Sequence, residues 1–435
     1  MTCARAAISF SASSTNWELL QKRRTCLKFK LRGMQASPIA RNVLPLVAVW
    51  LQAHKTPSPF CIQASRALSA QSSGASLVSF NAFAFESYGR SGSQGLNAPV
   101  GNHAAFAYGE ALNYMLRVKD YHSLLGSATL VYWAETAQSA YSDCFAALLG
   151  TNEDMTQNTL DGIMKAIRLG HGLQWENVPL DSRTPFYILG LSPNASRLSV
   201  RFFLQGTFGD FAANLARHQE RLNIIRPSYD TRETLSAYSL LKETANPNSR
   251  DKLPPSHLVG DLLRAILGDT PYPVSLLTQT ELRIHAEHSV SRGKAAILKA
   301  KNGSNPQYKE VINVQLNEQT NYAPYVLGRL FAVLESLQQK ANPGINATIM
   351  DRYFNAACAT PSIVFPTLLK LAQSHLKKLD TGYFIYYDKQ MTELCGRLTD
   401  SYPARLNLQD QGIFQLGYYH QKQKFFTKKE ENSNV

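Results

Sequence analysis

From residue 259 to residue 425 the apolar side chains of this chain recur only at helical spacing, whereas strand-like patterns are confined to the residues before that stretch. One sheet therefore cannot run through the whole molecule. The asymmetry predicts an α+β fold: a mixed α/β N-terminal part followed by an all-α C-terminal helical bundle.

The strand signals are local and distinct. Ala128–Trp133 and Phe186–Leu191 are short apolar runs of the kind buried on both faces. Pro193-Asn194 supplies a turn, and Arg197–Gln205 then alternates. Leu198, Val200, Phe202 and Leu204 share one expected face, the buried one, and Arg197, Ser199, Arg201 and Phe203 share the other. Ser76–Phe80 reads as a further strand, and residues 83–97 as a loop. Helices are expected over His103–Leu116, Ala137–Leu149, Thr159–Leu169 and Phe208–Leu222. Residues 227–257 are polar, carry Pro254-Pro255 and read as a linker. Beyond them helices are expected over Val259–Leu267, Val274–Ile284 and Tyr325–Gln339, the last ended by Pro343-Gly344. A further helix carries Val364, Phe365, Leu368, Leu369, Ala372 and Leu376, with Thr360 or Ser362 as its cap. Tyr383–Leu398 and Phe414–Phe425 complete the bundle.

The formal net charge of +13 favours a polyanionic partner without choosing between DNA, RNA and an anionic surface. Residues 1–69 hold ten Lys or Arg and one acid, Glu18, so most of the surplus lies there. That segment lacks apolar periodicity and is expected to stay outside the fold, disordered or frameshifted. The six cysteines show no CxxC pair and no zinc-ligand spacing; Cys144, Cys358 and Cys395 fall on apolar helical patterns and read as reduced core residues of a cytoplasmic protein. No apolar run approaches the roughly 20 residues that span a bilayer, so no membrane partner is expected.

Catalytic motifs are missing: there is no phosphate-binding P-loop, no GxSxG elbow and no HExxH. His285 and His288 flank Glu287, a weak metal-like cluster. Neither an enzyme nor a cofactor is expected. Three basic groups remain as nucleic-acid candidates. Arg197 and Arg201 sit beside Phe203, a combination suited to phosphate contact and base stacking. Arg292, Lys294 and Lys299, with Lys301, form a run without an acid. Lys370, Lys377 and Lys378 lie along one expected helix, with Arg397 on the next. An antiparallel pairing is expected to bring Arg397 alongside, which would make a basic track for a nucleic-acid backbone. Lys422, Lys424, Lys428 and Lys429 follow near the end. Composition alone leaves open a solvated face at each. It also leaves open a stand-alone nucleic-acid-binding protein, or a nuclease with dispersed carboxylates.

Longer blocks carry a resemblance. SFNAFAFESYG (Ser79–Gly89), QGLNAPV (Gln94–Val100), AYGEALNYML (Ala107–Leu116) and FYILGLSPNASRLSVRFF (Phe186–Phe203) are similar to the large-subunit family of type I-C CRISPR interference complexes. YVLGRLFAVLE (Tyr325–Glu335), NPGINATIMDRYFNAACATP (Asn342–Pro361) and QGIFQLGYYHQKQKFF (Gln411–Phe426) resemble its C-terminal blocks. The resemblance implies a non-catalytic subunit of a crRNA-containing complex with backbone and guide-processing subunits. It implies contact with target double-stranded DNA at its recognition motif, with displaced single-stranded DNA, and with a helicase-nuclease effector. Residue patterns and resemblance together give the expected domain order: 1–69 atypical, 70–226 the α/β domain, 227–257 linker, 258–316 helical connecting region, 317–429 a helical bundle, which the resemblance likens to the complex's small subunit, and 430–435 tail. The family carries a longer domain upstream of the SFN block, which residues 1–69 do not resemble.

Overall fold

The computed structural model describes residues 102–136, 138–149, 173–175, 177–194, 197–232, 234–250, 252–398 and 401–433, with positions 61–62, 75–76, 162 and 166. The strand expected beyond Ser76, the loop over 83–97 and most of the helix expected over 159–169 lie outside the described residues. The chain divides into two compact units.

The first unit takes in described residues up to Ser123, then Thr129–Asp143 and Asp181–Phe208. The strands of the larger sheet are β1 (Cys61–Ile62), β2 (Ala75–Ser76), β3 (His122–Leu125), β4 (Ala128–Ala134), β7 (Pro185–Asn194) and β8 (Arg197–Thr207), in the order β1-β2-β8-β7-β4-β3, of which only the last two residues of β3 and the first of β4 fall in the second unit. β2 and β8 run parallel, while β1–β2, β7–β8 and β4–β7 are antiparallel. The pairing of Cys61 with Ser76 corrects the expectation that everything before residue 70 lies outside the fold. A two-residue strand is held by its backbone ladder and is too short to show a period.

β4 is buried at every position, as its continuous apolar run requires. On one side of the sheet, Val131, Trp133, Leu189, Leu191 and Leu198 meet Tyr108, Leu112, Met115 and Leu116 of helix α1 (Asn102–Arg117). These helical positions recur every three to four residues, the stripe a core-facing helix needs. On the other side, Phe208 meets Tyr141 of α2 (Ser139–Leu148) and Phe186 edge-on, at 5.0 and 5.4 Å between ring centroids. The Tyr141 hydroxyl also accepts from the Asp181 amide at 2.9 Å.

The alternation expected in β8 breaks at a bulge. Val200 pairs with Leu191, but the next paired residue, Phe202, meets Gly190, leaving Arg201 as the extra residue. One inserted residue reverses the inward and outward assignment beyond it. Phe203, opposite Leu189, joins the face of Leu198 and Val200, whereas Phe202 and Leu204 turn to the other side. Val200, expected to be buried, is 40% exposed.

The second unit holds residues 124–128, 144–180 and 209–435. A short hairpin, β5 (Leu173–Trp175) with β6 (Val178–Leu180), precedes its helices. These are α3 (Phe208–Leu222), α4 (Ala237–Glu243), α5 (Ser256–Leu267), α6 (Val274–Glu287) and α7 (Arg292–Asn302). They continue with α8 (Ala323–Ala341), α9 (Ile349–Ala359), α10 (Pro361–Leu376), α11 (Thr381–Gly396) and α12 (Leu408–Ser433). The stretch expected as a linker carries α4, whose Leu240 and Leu241 are buried, so it packs rather than connects. The seven-residue helix is too short for a periodicity to stand out; its real signal is the Ser236 cap, which accepts from the Ser239 amide.

α8 is buried at every position from Pro324 to Glu335 and forms the axis of the bundle. It packs with α9, α10 and α12 through Phe331, Phe354, Phe365, Phe414 and Tyr418. α8 and α12 cross at two glycines. A methyl group on Gly328 would lie 1.9 Å from the Phe414 carbonyl oxygen, and one on Gly417 would lie 2.3 Å from that of Tyr325. Polar bonds lock the same crossing. The Tyr325 hydroxyl lies 2.8 Å from His420 Nδ1, Arg329 Nε donates to Gln421 Oε1 at 3.1 Å, and Tyr418 donates to Glu335 at 2.6 Å. α9 starts at a capping box of Thr348 and Asp351. Thr360 does occupy the cap position of α10, but its hydroxyl donates back to the Ala356 carbonyl, and Pro361 at the first helical position sets the start.

Candidate nucleic-acid interface

The three basic groups meet different fates. On β8, Arg201 is half-buried at the bulge, and its Nη2 reaches the Ser192 hydroxyl at 3.5 Å. The Arg197 backbone pairs with Ser76 and Asn194; its side chain lies outside the described residues. Phe203 is not an open platform. Its ring closes an aromatic row with Tyr187 at 6.3 Å and Trp133 at 6.5 Å, packed against the sheet's own core. The expected face of Arg197, Ser199, Arg201 and Phe203 therefore does not exist as one surface.

The run from Arg292 to Lys301 is an interior feature, which corrects its reading as an exposed cluster. Arg292 is 8% exposed and Lys294 2% exposed. Arg292 binds Asp230 at 3.2 Å and the Arg232 carbonyl at 2.5 Å. Lys294 pairs with Glu287, Lys299 donates to the Arg221 carbonyl at 2.9 Å, and Lys301 to the Tyr272 carbonyl at 2.5 Å. Paired charges can enter a core where single ones cannot. Asp230 stays ionised: its pKa is lowered to about 2, chiefly by hydrogen bonds from Arg232, with Arg292 adding to them. Burial alone pushes Lys299 and Lys301 down. Because Glu287 binds both Arg283 and Lys294, it is committed to ion pairs, and His285 bonds Asn355 at 2.7 Å. Among the described residues no three His, Cys, Asp or Glu side chains stand together as a metal site.

The third group stays at the surface. Lys370, Lys377 and Lys378 are exposed on α10 and the turn that follows it. Lys370 and Lys377, seven residues apart, lie about 10 Å from one another along the axis. Arg397 does not join them. Lys378 donates to Asn342, which caps the end of α8, at 2.7 Å, whereas Arg397 reaches Asn321, just ahead of α8, at 3.5 Å. The 19 residues of α8 separate those points by about 28 Å. A helical hairpin sets the end of its second helix beside the start of its first, so the antiparallel pairing carries Arg397 away from Lys377. Lys422 and Lys424 are held by Glu335 and Glu318, and the side chains of Lys428 and Lys429 lie outside the described residues.

One feature of this end of the bundle escaped the sequence reading. Tyr383, Phe384 and Tyr386, at the start of α11, are 44%, 40% and 37% exposed. The Lys340 ammonium sits 3.8 Å from the Tyr383 ring centroid. The signal was present as an unbroken apolar run, Tyr383 to Tyr387. Five successive residues circle a helix, so they cannot all enter one core.

None of the described helices is long and apolar enough to cross a membrane. No curated protein matches the chain. The profile of the CRISPR-associated protein family Cas_Csd1 matches residues 55–426, beginning upstream of residue 70, where the resemblance was expected to start. That match spans both compact units, and the chain belongs to the CRISPR-associated Cas_Csd1 family.

Proposed function

We propose that the chain is the non-catalytic large subunit of a crRNA-guided type I-C CRISPR surveillance complex in the cytoplasm. It contacts the motif next to the target, holds the unwound DNA and helps to recruit a separate helicase-nuclease for antiviral defence. The family match over residues 55–426 carries the reading. The exposed lysines at the end of α10 support it. In such complexes guide pairing reads the sequence, so the protein needs contacts to backbone and shape rather than to many bases. The absence of a recognisable catalytic motif in the sequence is why cleavage is assigned to another subunit.

Purification of the tagged chain from cells that also express a type I-C CRISPR array and the other subunits of such a complex tests the assignment. The expected result is co-purification of repeat-derived guide RNA with the backbone subunit, and no cleavage of labelled DNA with Mg²⁺ or Mn²⁺ present. Reproducible metal-dependent cleavage by the chain, or its purification without guide RNA, contradicts the reading.

A further inference from the structure

We infer that the start of α11, with the adjoining ends of α8 and α10, is a base-stacking platform for single-stranded nucleic acid. The platform consists of Tyr383 and Tyr386, three residues apart and so on one face of the helix, with Phe384 exposed around the same turn; Lys340, Lys377 and Lys378 border it. The inference rests on the proposed role in holding unwound DNA and adds the residues that would grip bases rather than phosphates.

Direct contacts bring these elements together. Lys340, one turn from the end of α8, covers the Tyr383 ring, and Lys378, after α10, binds Asn342 at the end of α8. Asp380 caps α11 by accepting from the Tyr383 amide at 3.0 Å, which fixes the first turn and the direction of the rings that follow. The lysines alone have a plain explanation, because cations complement the carbonyl ends of α8 and α10. The rings have none. Only Tyr387, Met391 and Leu394 of α11 are buried, and the three rings before them, with Ile385 among them, remain partly exposed to solvent at considerable hydration cost.

Two occupants suit exposed aromatic rings: a protein surface or unpaired bases. Charge decides between them. The cores of protein interfaces are depleted of lysine, whereas single-strand sites combine basic residues that follow the phosphates with rings on which bases stack. Lys340 on the Tyr383 ring and Lys377 and Lys378 just before α11 stand against Asp380 at its cap, so this end of the bundle is net basic. Stacking needs no particular base, which fits a strand whose sequence is read elsewhere.

The test is binding of a fluorescent oligo-dT to the full-length chain over a range of salt. Tyr383→Leu, Phe384→Leu and Tyr386→Leu, made together, keep apolar bulk and helix propensity but remove the π faces; Lys377→Ala with Lys378→Ala removes charge. The leucine variant is expected to lose roughly tenfold or more in affinity with an unchanged salt slope. The lysine variant is expected to flatten the log–log slope by about 0.7 per lost contact. Circular dichroism establishes that both are folded. Wild-type affinity in the leucine variant overturns the inference. So does loss of a protein subunit from the assembled complex while oligonucleotide binding persists, which would make the surface a protein dock. Absence of oligo-dT binding by the wild-type chain overturns it too. In each case guide RNA co-purification separates the outcomes, because it fails only if the functional reading fails.

Discussion

Glu281 in α6 is 2% exposed, and among the described residues neither of its carboxylate oxygens has a hydrogen-bond partner. Burial alone raises its pKa from 4.5 to about 8. The folded chain thus keeps a proton that the unfolded chain releases near 4.5, and stability falls as pH rises from there toward 8, then levels. His218 and His420 act in the opposite sense. Burial holds both near 3, so their contribution is lost as pH falls from 6.5 toward that value. Glu281→Gln removes only the first effect. The melting temperature of the variant minus that of wild type should widen by about 3 °C or more between pH about 5 and about 8. A constant difference would mean that Glu281 is not held protonated. At the same scale, Val200→Asp should cost under about 1 kcal/mol, and Phe202→Ala about 3 kcal/mol or more, in urea unfolding. Similar losses at the two positions would contradict the bulge. The strand itself was legible from its alternation. The bulge was not, because an extra residue such as Arg201 has no compositional mark and shows only in the pairing with Gly190 and Leu191.

At the scale of elements, the α8–α12 crossing makes the sharpest demand. Gly328→Ala or Gly417→Ala forces backbone against backbone, where no side chain can move aside, and each should destabilise the bundle by about 3 kcal/mol or more. Urea titration measures this; a loss near that of an exposed helical Gly→Ala would show the helices farther apart. Most helices of the bundle were legible because their apolar spacing is regular. α9 was missed as a helix, although its Thr348–Asp351 box was in plain sequence. The basic run of α7 was misread for a different reason. A lysine carries the same formal charge inside or out, and the partner that buries Arg292, Asp230, lies 62 residues away in the chain. Among the described residues no acid pairs with the α10 lysines, and they lie outside. Arg292→Ala should accordingly act through folding, lowering the melting temperature by several degrees because it removes a buried ion pair to Asp230 and the bond to the Arg232 carbonyl, although Arg232 still holds Asp230, whereas Lys377→Ala should leave it unchanged. Equal thermal effects would mean that Arg292 and Lys377 do not differ as interior and surface cations.

For the whole molecule, ordered blocks of sequence carried more than any single motif. The resemblance in Phe186–Phe203 and Tyr325–Glu335 falls on β7, β8 and α8, the elements that build the two cores, and the family match extends across them. Residue type and spacing could not reveal which cations were free, since that depends on tertiary partners. Net charge was a coarse guide for the same reason. The central claim is that this chain gives a guide-containing complex its hold on target DNA. Its most direct test is reconstitution of the complex with and without the chain, followed by binding to target duplex at fixed salt. The expected result is a complex that keeps its guide RNA without the chain but binds target at least about tenfold more weakly, a loss of about 1.4 kcal/mol. Unchanged target affinity without the chain would contradict the claim.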